Sequence, residues 1–302
     1  MRHSLNVLKK LLIAGAARLG LLGPLYARGD ASPERLSHEE IVISAMTKYD
    51  MVSRPDEPYY ARQYLHWILS ELSTSYSDRR VKILDLGCGQ GRLSLPLAEW
   101  CATEGGEVTG VDFTPTAVEK ARNYAMARGL ANVSFQHGDV LTVAQEMADA
   151  SVDAVLLIEV TFVLPSYREV LHEIHRILRP GGLLFISFRS QYYNLLHSVR
   201  SRRWDSAEMV TVHREGHIFS GPGWFSWQTP EDICRLITES RLHLIKLCGI
   251  GICSGIEGDP LAAIVRPSQL SVDEQERLMK IECAAAEYYA VCGRYILAIV
   301  RR

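Results

Sequence analysis

From residue 81 onward, two hydrophobic rhythms alternate along the chain. Short apolar runs occupy 81–86, Glu107–Asp112, Val133–Gln136, Val152–Ile158 and Leu183–Phe188. Between them lie stretches with apolar residues three and four positions apart, at 92–101, Thr116–Arg128, Val143–Ala148 and Ser166–Leu178. The runs predict buried strands and the stretches predict amphipathic helices. Strand and helix in strict succession predict an α/β fold, a parallel sheet with helices on both faces. The pattern loosens after Arg189, but predicts a helix over Pro230–Ser240, a strand over Leu242–Ile252, a helix over Val272–Val291 and a last strand over Tyr295–Val300.

The flanks are different. Residues 1–36 form an apolar, basic extension with leucines on one stripe, broken by glycines and Pro24. The run is too short and too charged to span a membrane, and Arg18 splits it as a secretory signal. An amphipathic surface helix, an organelle-targeting segment or an ordinary packed helix all fit. Residues 37–78 read as a helical cap: a helix from Ser37 to about Tyr49, a break at Pro55 and Pro58, then a helix from Tyr59 to Leu72. The main domain, 79–302, carries insertions at 190–228 and 253–291. The first is expected to be polar and aromatic rather than a core unit, and both to wall a pocket above the fourth and fifth strands.

Charge narrows the choice of partners. The whole chain of 302 residues has a net charge of −2, but residues 1–29 hold five basic side chains and no acid. The rest has 28 basic against 35 acidic residues, which argues against a nucleic-acid partner. Peripheral membrane contact through residues 1–29 is compatible with their charge. Seven scattered cysteines form no CxxC pair and no zinc-spaced cluster, so no metal site is expected. They imply free thiols in a reducing, cytoplasmic compartment.

The chemistry concentrates at the ends of the strands. The first strand runs into Asp85-Leu86-Gly87-Cys88-Gly89-Gln90-Gly91. Glycines on alternate positions permit a sharp turn and close approach of a ligand. A dinucleotide fingerprint would need its third glycine one place later, where Arg92 stands. Asp85 also puts a carboxylate where a pyrophosphate would be repelled, so a cationic ligand suits this turn. Asp112 ends the second strand, 21 places after Gly91, where an acid can accept from ribose hydroxyls. Phe113 can lie against a flat base, and Asp139, after Gly138, can accept from an exocyclic amine, with Val140 contributing backbone.

These motifs, with Leu178-Arg179-Pro180-Gly181-Gly182, resemble the ordered motifs of class I S-adenosylmethionine-dependent methyltransferases. The resemblance is tight over about 79–189. It implies a Rossmann-like, seven-stranded, mostly parallel sheet whose last strand is antiparallel. It also implies S-adenosyl-L-methionine across the tips of the first two strands. Asp85, Gly87, Cys88, Gly89 and Gly91 would then line the methionine part, Asp112 the ribose, and Phe113, Asp139 and Val140 the adenine. Tyr59 or Tyr60 could reach the cofactor's carboxylate, or simply pack a helix. Glu159, at the end of the fourth strand, is the first candidate for a general base or a cofactor contact. His213 and His217 are further candidates because their unperturbed pKa suits proton transfer, against a plain surface role. His172 and His175 are expected to face solvent.

Ile158-Glu159-Val160-Thr161 is not the tetrapeptide of nucleic-acid amino methyltransferases, and no Pro-Cys dipeptide occurs for a cytosine-type mechanism. The expected activity is methyl transfer to a small organic acceptor, most simply on oxygen, with an apolar or membrane-associated acceptor giving residues 1–29 a purpose. Two rivals stand beside it: a protein or RNA methyltransferase, and a non-catalytic cofactor-binding partner protein. Oligomeric state is left open.

Overall fold

The computed structural model describes residues 37–48, 50–76, 80–217 and 223–302. The helical stripe expected in residues 1–29 lies outside them. Seven strands form one sheet in the order β3-β2-β1-β4-β5-β9-β8. These are β1 (Lys82–Leu86), β2 (Glu107–Asp112), β3 (Val133–His137), β4 (Val152–Leu157), β5 (Leu178–Arg189), β8 (His243–Ile250) and β9 (Tyr295–Arg301). A two-stranded hairpin, β6 (Glu215–Gly216) with β7 (Phe225–Ser226), lies outside the sheet. Strands β1 to β5 pair in parallel, and β9 runs antiparallel to both β5 and β8. The fold class expected from the sequence is the one observed.

Alternation along each central strand builds two cores. Leu84, Leu86, Val155, Leu157, Leu184 and Ile186 face one side of the sheet. They pack against α6 (Tyr167–Ile177), whose Val170, Leu171, Ile174 and Ile177 form the buried stripe of an amphipathic helix, and against α9 (Pro230–Glu239). Ile83, Ala154, Leu156, Leu183 and Phe185 face the other side. There they meet α2 (Glu57–Ser75) and α3 (Ser94–Cys101). The remaining helices are α1 (His38–Lys48), α4 (Pro115–Ala127), α5 (Val140–Glu146), α7 (Gln191–Arg200), α8 (Trp204–Val212) and α10 (Val272–Ala285). Among the described residues no helix is long and apolar enough to cross a membrane.

The described part of residues 190–228 forms α7, α8 and the β6–β7 hairpin, outside the main sheet. Tyr193 and Trp227 are buried, and Trp227 packs with Val210 and Phe225 while its indole N–H donates to the carbonyls of His213 and Val210. Val210, Phe225 and Trp227 form a small core of their own. The helix expected to reach Val291 ends at Ala285, because the following residues turn to feed β9. The N–H of Gly249, in β8, takes the carbonyl of Ala286, and the next helical turn, Ala290–Cys292, is 3-10.

Candidate functional site at the strand tips

The glycine turn is tied inward. Gly87 and Cys88 donate their N–H groups to the Val111 carbonyl, Gly91 donates to the Cys88 carbonyl, and Gly89 donates to Asp112 Oδ2 at 2.8 Å. With these donors spent inside the fold, the turn is not the open row of N–H groups that cradles a phosphate. Gly87, Gly89 and Gly91 all have positive φ, at 81°, 54° and 82°. A methyl group on Gly87 would come within 2.2 Å of Val160 Cγ2, so glycine is required there by backbone and by space. Met51, from the loop between α1 and α2, covers the turn and bonds through its N–H to Gln90 Oε1.

Two carboxylates lie buried at the adjoining tips of β1 and β2. Asp85 is 3% exposed and accepts from Ser94 Oγ at 2.5 Å. Burial, with Asp112 adding repulsion, pushes its pKa up to about 6 despite Ser94 and Arg92. Asp112 accepts from Gly89 N and Thr114 N, and burial raises its pKa too. Two desolvated acids at one edge make a site that a cation completes, which fits a sulfonium- and ammonium-bearing cofactor.

Phe113, beside Asp112, is half-buried. Asp139 is exposed and caps α5, its Oδ1 accepting from the N–H and the hydroxyl of Thr142; Val140 starts that helix. The Cys88 thiol is buried, donating weakly to the Gly89 carbonyl and packing in a cluster with Val118, Ala121 and Phe135, and burial raises its pKa well above the usual value. Tyr59 lies on α2 with its hydroxyl toward α10. Its hydroxyl donates to the buried Glu282 at 2.7 Å, so it anchors α2 to α10. Tyr60 likewise meets Ser254.

Glu159 follows β4 in a left-handed conformation, φ 58°, with its N–H held by Ser187 Oγ. Its carboxylate lies 3.1 Å from Arg92, which also pairs with Glu57 at 2.6 Å. Burial disfavours the charge of Glu159, but Arg92, Arg294 and Arg189 outweigh it and hold the pKa below the ordinary carboxylate range. His213 and His217 are exposed on and beside the β6–β7 hairpin, and His217 meets the Gly223 carbonyl. No hydrogen bond joins either to the glycine turn among the described residues. Sequence reasoning passed over Arg92 as a glycine that was absent. Its signal was a charge placed where the turn should carry none.

A model of the methyltransferase-domain family matches residues 77–231, which contain the turn and both buried acids. The chain belongs to the class I S-adenosylmethionine-dependent methyltransferases. S-adenosylmethionine is the methyl donor of this family, and the residues at the strand tips fit it. The domain is 32% identical over 130 residues to a sterol 24-C-methyltransferase of Gibberella zeae, covering 42% of this chain and 32% of that protein. It is 30% identical over 141 residues to a demethylmenaquinone methyltransferase of Geobacillus kaustophilus, covering 44% and 59%. A tRNA 5-carboxymethoxyuridine methyltransferase of Escherichia coli aligns at 27% identity over 245 residues, 80% of this chain and 88% of its own. The chain thus spans 32% and 59% of the length of the first two relatives. Among solved structures, the PH0226 protein of Pyrococcus horikoshii shares the fold, with a TM-score of 0.52 at 20% identity over 84% of this chain and 94% of its own.

Proposed function

We propose that this methyltransferase transfers the methyl group of S-adenosylmethionine to a small organic acceptor, on oxygen. The observation that carries the reading is the pair of buried acids, Asp85 and Asp112, on a turn whose N–H groups are consumed internally. Such a site favours a cation over a phosphate. Asp85 with Gly87, Gly89 and Gly91 would hold the methionine part, Asp112 the ribose, and Phe113, Asp139 and Val140 the adenine. When bound, the cofactor supplies a methyl group already activated on sulfur, so much of the rate comes from alignment and exclusion of water. Glu159, ionised and paired with Arg92, is a weak proton acceptor. Its role in this reading is to hold Arg92 at the rim between cofactor and acceptor. The relatives that act on a sterol and on demethylmenaquinone support a small acceptor.

Titration calorimetry with S-adenosylmethionine, followed by assay of S-adenosylhomocysteine formation on fractionated metabolites, tests the reading. Loss of binding in Asp112→Ala is expected. Absence of binding in the native chain sinks the cofactor assignment, and binding without turnover favours a cofactor-binding partner protein. The tRNA-modifying relative, aligned along most of both chains, supports a second reading with an RNA acceptor. Methyl transfer to a bulk tRNA fraction, and none to metabolites, would select it over the first. Peripheral membrane contact through residues 1–29 is checked by vesicle binding with and without that segment.

A further inference from the structure

At the tip of β5, Arg189 is 5% exposed, and its guanidinium carbon lies 4.2 Å from the ring centre of Tyr295, 4.9 Å from Phe162 and 5.0 Å from Tyr193. Rings satisfy a cation's faces but not its in-plane donors. Its Nη1 is buried without a hydrogen-bond partner, and among the described residues no carboxylate lies within ion-pair distance of it. Arg294 stands beside it, since Arg189 pairs in register with Tyr295, and Arg294 is 8% exposed with Nε also unpartnered.

The nearby acids reach these two guanidinium groups only at longer range. Glu159 pairs directly with Arg92 and feels Arg189 and Arg294 through space. Asp259 accepts at Oδ1 from the N–H groups of Leu261 and Ala262, while its Oδ2 makes an ion pair of 3.9 Å with Arg294 Nε, too long for a hydrogen bond. An unpaired buried guanidinium is costly and calls for an anion. The two guanidinium groups stand apart from Asp85 and Asp112. In the sheet order, β5 lies two strands from β1, about 10 Å at the usual strand spacing, on the side away from Asp112.

We propose that Arg189, supported by Arg294, binds a carboxylate on the acceptor, so that the substrates of this enzyme are organic acids with a flat or apolar body lying against Phe162, Tyr193 and Tyr295. The inference rests on the methyltransferase reading above. A guanidinium grips a carboxylate through two parallel bonds, and the ring-lined surroundings favour a planar monoanion over a phosphate.

The test uses the full chain saturated with S-adenosylhomocysteine and titrated with benzoate, with benzamide as the neutral isostere and inorganic phosphate as the alternative anion. Benzoate is expected to raise the melting temperature and to give a calorimetric Kd, with little response to the other two. Arg189→Met is expected to weaken benzoate about tenfold or more while leaving the S-adenosylhomocysteine Kd unchanged. Arg189→Lys should fall between, because it keeps the charge and loses the fork. Equal responses to benzoate and benzamide in the native chain overturn the proposal, and that comparison needs no variant to fold. So does a phosphate response matching benzoate, unchanged benzoate binding in Arg189→Met, or loss of S-adenosylhomocysteine binding in that variant. A native chain that ignores S-adenosylhomocysteine but binds benzoate through Arg189 would refute the cofactor reading and keep the anion site.

Discussion

Ser94 donates its hydroxyl to Asp85 Oδ2 at 2.5 Å, tying the first turn of α3 to the end of β1. That bond is too little to keep Asp85 at an ordinary acidity, since its pKa stands at about 6 against 3.8 unperturbed. A carboxyl whose folded pKa is raised favours the fold below its unfolded pKa, and that contribution is lost as pH rises through the folded one. From well below pH 4 to well above pH 6 the unliganded protein therefore loses about 3 kcal/mol through this group. Asp85→Asn should melt higher than the native chain at pH 7.5, with the gap closing by pH 4, and should lose S-adenosylmethionine binding. In the native chain, binding of the cationic cofactor should weaken as pH falls from 7 to 5, as Asp85 takes up a proton. Melting curves and calorimetry across that range check both outcomes.

Arg92 sits between two carboxylates, with side-chain exposures of 6% for itself, 5% for Glu57 and 14% for Glu159. Removing the cation strands two buried acids together. Arg92→Met is expected to cost about 3–5 kcal/mol in denaturant unfolding at pH 7, and much less near pH 4, where the freed acids protonate. A uniform loss at both values would mean that Arg92 acts by packing on Tyr64 rather than by charge.

How far the sequence could be read follows from locality. The strands of the sheet and the acids at their tips follow from short apolar runs and a turn, so they were legible, down to the match at Glu107–Asp112. The pairing of Arg92 with Glu57 joins positions 35 residues apart, and Arg189 meets Tyr295 across more than a hundred. Neither leaves a periodic trace. The bond from Tyr59 to Glu282 joins positions 223 residues apart and leaves no local trace either. The elements of the 190–228 stretch were not legible because aromatic residues spaced for a hairpin and two short helices carry no single period.

Gly87 meets both tests for a position closed to other residues: a φ of 81° and a Val160 methyl 2.2 Å from any added Cβ. Left-handed geometry alone costs alanine about 1–2 kcal/mol, and Val160 must also move. Gly87→Ala is expected to lower stability and to weaken S-adenosylmethionine binding. Adding Val160→Ala should recover part of the stability by relieving the contact, but not the backbone cost. Denaturant midpoints of the single and double variants measure the coupling, and strict additivity would refute it.

Glu282 is 2% exposed and accepts from Tyr59, Gln63, Ser254 and the N–H of Cys253, so one carboxylate joins α2, the loop after β8 and α10. Tyr59→Phe removes one donor from a buried charge, which is expected to cost about 1.5–3 kcal/mol. The ring and its packing remain, including the edge-to-face contact with Tyr60. Because the hydroxyl faces α10 and not the glycine turn, the Kd for S-adenosylmethionine should not change. A melting temperature that drops with the Kd intact fits an anchor. A Kd that rises severalfold at constant stability would return Tyr59 to the cofactor's carboxylate, the role that its sequence position left open beside helix packing.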